Sequence, residues 1–267
     1  MKNLFKFIAI LIVINFFSSC SVYKMQVVSL DCNKLTKDST WYYKDSIVEM
    51  NFFFYSNNGQ LNFKIINNSD KPIFFDGKNS FLLLGNQKTE YWNDISQMKG
   101  TLAFNNSRHS YYSKAPVNAS IARPERIVFI PPKTSYSLTK FYVAKGLYDL
   151  RKFNDVITDT VKANWNDKVD KKVAVKKINF QESNTPYNFR HFITLSLTED
   201  FKNPLYYDFL FWISEIQEMD AKQATKSAHP ENYCNDAFRE SDTQNIKIHP
   251  FKKPWRFYTH NIPAPIN

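Results

Sequence analysis

The chain has 267 residues, with 35 Lys and Arg against 25 Asp and Glu, five glycines, three cysteines, 24 Phe and 15 Tyr. So few glycines leave little room for phosphate-cradling loops, and the aromatic content predicts an aromatic-rich core. The formal charge of +10 favours anionic partners such as phosphorylated lipids or envelope polymers, set against the plainer reading of a lysine-rich solvated surface.

Residues 1–19 read as a targeting segment. Lys2 and Lys6 make a positive start, and the apolar run from Phe7 to Phe17 covers 11 residues, short of the roughly 20 needed to cross a bilayer. The run ends in Phe17-Ser18-Ser19-Cys20. Small residues just before such a cysteine resemble the lipobox of bacterial lipoproteins, although Phe17 stands where the common lipobox has an aliphatic residue. The resemblance implies that Cys20 is lipidated, becomes the first mature residue and holds the protein on a membrane. An ordinary secretory signal or a buried N-terminal helix is the alternative. Without Lys2 and Lys6 the mature chain keeps 33 basic against 25 acidic residues, a net +8. Its length suits one large sandwich domain better than two.

Ser21 to Ser39 is polar and without strong periodicity, so residues 20–39 read as a tether. Cys32 lies in it. With Cys20 spent on lipid, Cys32 and Cys234 are the remaining thiols, and an oxidising compartment makes them a candidate disulfide. Two unpaired thiols are the other reading.

Ser46 to Trp92 carries the clearest pattern. Val48, Met50, Phe52 and Phe54 share one face of an extended chain, and Asn57-Asn58-Gly59 turns it back into Leu61, Phe63 and Ile65, a hairpin. Lys71-Pro72 enters a third strand at Ile73 to Phe75, Asp76-Gly77 turns before Phe81 to Leu84, and Gly85-Asn86 turns before Thr89 to Trp92. Such closely spaced short strands are the rhythm of a sandwich or barrel. Residues 99–123, rich in Asn and Ser, read as a long loop. Strands return at Ile127 to Ile130, ended by Pro131-Pro132, and at Tyr136 and Leu138.

The segments SDKPIFFDGKNSFLLLGNQKTEYW, PERIVFIPPKTSYSL and FRHFITLSLTEDF, behind a lipobox, resemble uncharacterised envelope lipoproteins of the Bacteroidetes type. The resemblance covers the larger part of the chain and implies a mainly β, immunoglobulin-like β-sandwich in the cell envelope; it supplies no catalytic residues. Surface-exported members of that phylum tend to carry an acidic run after the lipidated cysteine. Ser21-Val22-Tyr23-Lys24-Met25 stands there instead, which favours an outer-membrane lipoprotein facing the periplasm.

Further along, the spacing of Leu147, Leu150, Ile157 and Val161 predicts an amphipathic helix, and the basic residues between Arg151 and Lys177 read as the solvent face of a strand. Phe189 to Leu197 and Leu205 to Ile213 alternate as strands. Ile213, Ile216 and Met219 suggest a short helix, and Asn245 to Ile248 a last short strand. The organisation expected is therefore a leader over 1–19, a tether over 20–39, and a sandwich over 40–267 with one or two minor helices and an extended C-terminal segment.

The chain contains no G-x-S-x-G, H-E-x-x-H, C-x-x-C, Walker or dinucleotide motif. Its five histidines are scattered, and His191 reads as a core histidine rather than a metal ligand or base. Cys32 or Cys234 with His191 lacks the local signature of a thiol nucleophile. Glu199-Asp200, or Glu215 with Glu218, is a weak candidate for a glycosidase pair. No catalytic or metal residue, cofactor or nucleic-acid partner is assigned. Three functions are left: a non-catalytic lipid-anchored protein binding or scaffolding an envelope component, an envelope hydrolase acting on glycan or peptide, or a binder of anionic lipid or polymer. The third would use Lys252, Lys253, Trp255 and Arg256, where cations interleave with rings. The competing reading of that segment is a strand covering one edge of the sandwich.

Overall fold

A computed structural model describes residues 24–92, 97–102, 117–122, 125–162, 172–221 and 252–261, with 97–102 and 117–122 followed as backbone only. In chain order the strands are β1 (Lys24–Asp31), β2 (Thr36–Lys37), β3 (Trp41–Lys44), β4 (Val48–Phe53), β5 (Gln60–Asn67), β6 (Ile73–Asp76), β7 (Phe81–Leu84), β8 (Gln87–Glu90) and β9 (Gln97–Leu102). They continue as β10 (Val117–Ala122), β11 (Ile127–Ile130), β12 (Ser135–Tyr142), β13 (Ile157–Lys162), β14 (Lys172–Asn179), β15 (Asn188–Ser196), β16 (Leu205–Asp220) and β17 (Arg256–His260). The protein is mainly β, a sandwich of two antiparallel sheets. The larger runs β11-β6-β15-β16-β1-β17, with β7 and β8 added on β15 and β13 and β14 on β16; the smaller runs β12-β5-β4-β3-β2.

The β4–β5 hairpin forms where the alternation and turn chemistry place it. Asn58 and Gly59 both take positive φ, and the register sets Met50 opposite Ile65 and Phe52 opposite Phe63. Gly59 is required twice over: besides its φ of +65°, a Cβ there would lie 2.6 Å from Val143 and 2.9 Å from the Phe257 ring. The inner faces of β4 and β5 meet Phe189, His191 and Ile193 of β15 and Phe209, Phe211 and Ile213 of β16. Rings interlock at the centre. Phe52 meets Phe209 edge-on at 5.0 Å, Trp41 meets Phe211 edge-on at 5.3 Å, and Phe189 stacks on Phe211 at 5.0 Å.

Four sequence expectations are corrected. The tether contains β1, one of the most buried strands, because both its faces are covered: Val28 and Leu30 point into the sandwich, while Met25 and Val27 join a second cluster with Val173, Val175 and Met219 on the far face. A strand buried on both sides has no alternation to read. The loop expected at 99–123 includes parts of β9 and β10, which pair with each other. The helix expected over Leu147 to Val161 is a 3₁₀ turn at Leu150–Lys152 followed by β13; Ile157 and Val161, four apart, satisfy a period of two as well as a helix. The helix expected from Ile213 is the second half of β16. Between Ser29 and Leu30 of β1 the register slips, so that Ser29 faces Glu215 and Leu30 faces Ile213, leaving Ser214 as a bulge. One extra residue turns a spacing of two into three, and Ile213 and Ile216 both reach the core along an extended strand.

A strap that divides two clefts

The chain leaves β12 in the small sheet and crosses to β13 in the large one over residues 143–156. Its start is fastened by Val143 and Ala144, whose backbone N–H groups donate to Gly59 and Asn58 of the hairpin turn at 3.2 and 3.1 Å. Its middle is fastened by Gln26, a fully buried amide on β1. Gln26 Nε2 donates to the Tyr148 carbonyl at 2.7 Å and to Glu218 Oε2 at 2.9 Å, while its Oε1 accepts from the Tyr148 N–H at 2.7 Å. The Tyr148 ring meets Tyr187 edge-on at 4.5 Å, and burial, then the neighbouring Tyr187, pushes its hydroxyl well above the ordinary tyrosine range.

Tyr148 lines two clefts. On one side is an apolar cleft of about 440 Å³, floored by the core residues Leu30, Phe189, Ile213 and Phe257 and walled by Leu84, Val143 and Tyr187. At its rim stand Gln87, Lys145 and Asn188, all exposed, whose side chains have no partner among the described residues. Among the described residues Lys145 is the one charged residue lining it. On the other side is a cleft of about 720 Å³ between the strap and the inner face of β13, β14, β16 and β1, lined by Lys24, Lys176, Glu218 and Thr158 from the sheet and by Leu150, Arg151 and Phe153 from the strap.

The residues singled out from the sequence lie elsewhere. Cys20 and Cys234 are outside the described residues. Cys32 is buried just after β1, and loss of solvation, opposed by the Lys34 backbone N–H and reinforced by Asp31, pushes its thiol up to about 11. The C-terminal segment forms β17 against β1, with Phe257 fully buried. Trp255 packs on the core, with the ammonium groups of Lys37 and Lys253 at 5.8 and 5.9 Å from its ring. Arg256 donates to Ser29 Oγ at 3.0 Å and pairs with Glu215 at 3.5 Å, and Lys252 and Lys253 are exposed.

His191 is sealed in the core, with Nε2 2.6 Å from the Tyr91 hydroxyl and the rings of Phe63 and Phe52 edge-on at 4.9 and 5.7 Å. Burial lowers its pKa to about 3. No substrate can touch it there. Glu215 and Glu218, being an odd number apart on an extended strand, face opposite sides of the sheet: Glu215 receives Ser29 and Lys177, and Glu218 receives Lys24 and Gln26. Asp200 sits in an exposed turn beside Lys202. Among the described residues no group of three or more His, Cys, Asp and Glu is placed to hold a metal ion. The cleft walls escape sequence reasoning because Gln26, Tyr148 and Tyr187 come from three distant segments and belong to no motif. No family model, curated protein or solved structure matches the chain.

Proposed function

We propose that the protein is a non-catalytic cell-envelope protein, anchored by lipid at Cys20 and facing the periplasm, that binds a small ligand with an apolar body in the cleft beneath the β7–β8 turn. The observation that carries this reading is the cleft itself: about 440 Å³, floored by core side chains, with the unpartnered polar groups of Gln87, Lys145 and Asn188 gathered at its rim. Cavities of about 300–1,000 Å³ with apolar walls and a few polar groups are the usual form of a small-molecule site. An apolar body would displace water from the floor, and the rim amides and ammonium would orient its polar end. No carboxylate, histidine or cysteine among the described residues lines this cleft, and its apolar floor with a polar rim supports binding.

The neutral fluorophore N-phenyl-1-naphthylamine tests the site. Its emission should rise on mixing with the protein, and Leu84→Trp or Pro186→Trp, each at a residue that lines the cleft, should abolish the rise while leaving the melting temperature near that of the parent. Emission that rises equally in both variants would refute the site. Mass measurement of the mature N-terminus tests the anchor; an amino terminus at any residue other than a lipid-modified Cys20 would remove it.

A further inference from the structure

We infer that the larger cleft is a headgroup site for an anionic phospholipid of the membrane that carries the protein. The inference rests on the lipid anchor at Cys20, and its first support is distance along the chain. β1 begins at Lys24, four residues after Cys20. Four Cα steps of 3.8 Å reach no more than about 15 Å, so a lipidated Cys20 keeps the start of β1 close to the bilayer surface. Lys24 is itself part of the cleft wall. What the sequence presents as a long tether is a short one, and it fixes which end of the sandwich faces the membrane.

The second support is charge. Three cations, Lys24, Arg151 and Lys176, line the cleft against two carboxylates, Glu218 and Asp149. Both carboxylates are already occupied. Glu218 takes Lys24 at 2.9 Å and the Gln26 amide at 2.9 Å, and Asp149 takes Arg151 at 2.8 and 3.1 Å. Lys176 is exposed and has no partner among the described residues. The cleft therefore offers an uncompensated positive charge to a phosphate.

The third support is the strap. Leu147, Leu150, Phe153 and Val156 line the same cleft as the cations. Apolar side chains beside ammonium groups match the boundary between headgroup and acyl chain, where a free phosphate would leave the apolar wall unused.

The test uses the full chain, expressed with its own leader, purified in its lipidated form and reconstituted into phosphatidylcholine vesicles doped with a photoactivatable probe. With a phosphatidylglycerol probe, labelling should fall on peptides of residues 147–156 and drop about fivefold in Lys176→Gln, the effect expected of one basic residue at an anionic surface. Because Lys176 is exposed and unpaired, that variant leaves the fold intact, and Arg151→Gln provides a second. A phosphatidylcholine probe should label the segment weakly and equally in all three proteins, and excess inorganic phosphate should leave the phosphatidylglycerol labelling unchanged. Equal labelling by the two probes, or labelling indifferent to both substitutions, would overturn the site. Loss of labelling to inorganic phosphate would assign the cleft to the free ion and overturn the lipid. A chain without lipid on Cys20 would overturn the anchor alone, since a short-chain phosphatidylglycerol probe in solution still reads the cleft.

Discussion

His191 has one ring nitrogen 2.6 Å from the Tyr91 hydroxyl and the other, Nδ1, without a partner. With Tyr91 donating to Nε2, a single orphan remains, the Nδ1–H; with the reverse arrangement the Nδ1 lone pair and the tyrosine proton are both orphaned. The imidazole is thus held neutral. Its pKa is about 3 in the folded protein against 6.5 when free. A depressed folded value means that the unfolded chain takes up the proton first as pH falls. The contribution of His191 is complete above about 6.5 and is lost toward 3, at up to about 1.4 kcal/mol per pH unit. Denaturant unfolding of the parent and of His191→Leu across that window should show a shallower acid slope in the variant; parallel slopes would contradict the assignment. Gln26 carries the other expectation at this scale. Gln26→Leu removes three hydrogen bonds and leaves the buried backbone of Tyr148 unsatisfied, which should cost about 1–3 kcal/mol and raise amide exchange in the strap above the rest of the fold. The sequence identifies His191 as a core residue from the strand it sits in, but Gln26 sits in a stretch with no periodicity, and its partners are 122 and 192 residues away.

Strands with one wet face were legible, and strands with two dry faces or a bulge were not. β4 and β5 alternate cleanly, and their turn needs Gly59; Gly59→Ala should destabilise the protein by more than the roughly 1–2 kcal/mol of a left-handed residue, because the added Cβ also meets Val143 and Phe257. β16 was legible only as far as its bulge. Deleting Ser214 would remove the extra residue and leave an unbroken ladder with the same partners, Ile213 and Ile216 still inward and Glu215 and Gln217 still outward. The deletion variant, like Ser214→Val, should therefore retain the native near-ultraviolet spectrum. A deletion variant that fails to fold would show that β16 depends on the slip itself. The strap defeated pattern reading for a different reason: it is held by Gln26 and the hairpin turn rather than by any period of its own.

Over the whole molecule, the sandwich class was legible and its N-terminal boundary was not. Residues 24–31 form a strand that pairs with β16 on one edge and β17 on the other, so a chain beginning at residue 39 loses a buried strand and the support of the C-terminal edge. A chain beginning at residue 21 should give a cooperative melt; one beginning at residue 39 should give none. The C-terminal aromatics belong to this same support, through Phe257 in the core and Trp255 against it. Arg256 turns to the outer face, where it meets Ser29 and Glu215.

Chemical-shift mapping on the isotope-labelled chain from residue 21 tests the apolar cleft as the ligand site most directly. Titration with N-phenyl-1-naphthylamine should move the amides of residues 84–87, 142–148 and 187–189 together, saturably, and leave Lys252 and Lys253 in place. Shifts centred on Lys252, Lys253 and Trp255, or none at the cleft when the probe saturates, would contradict it.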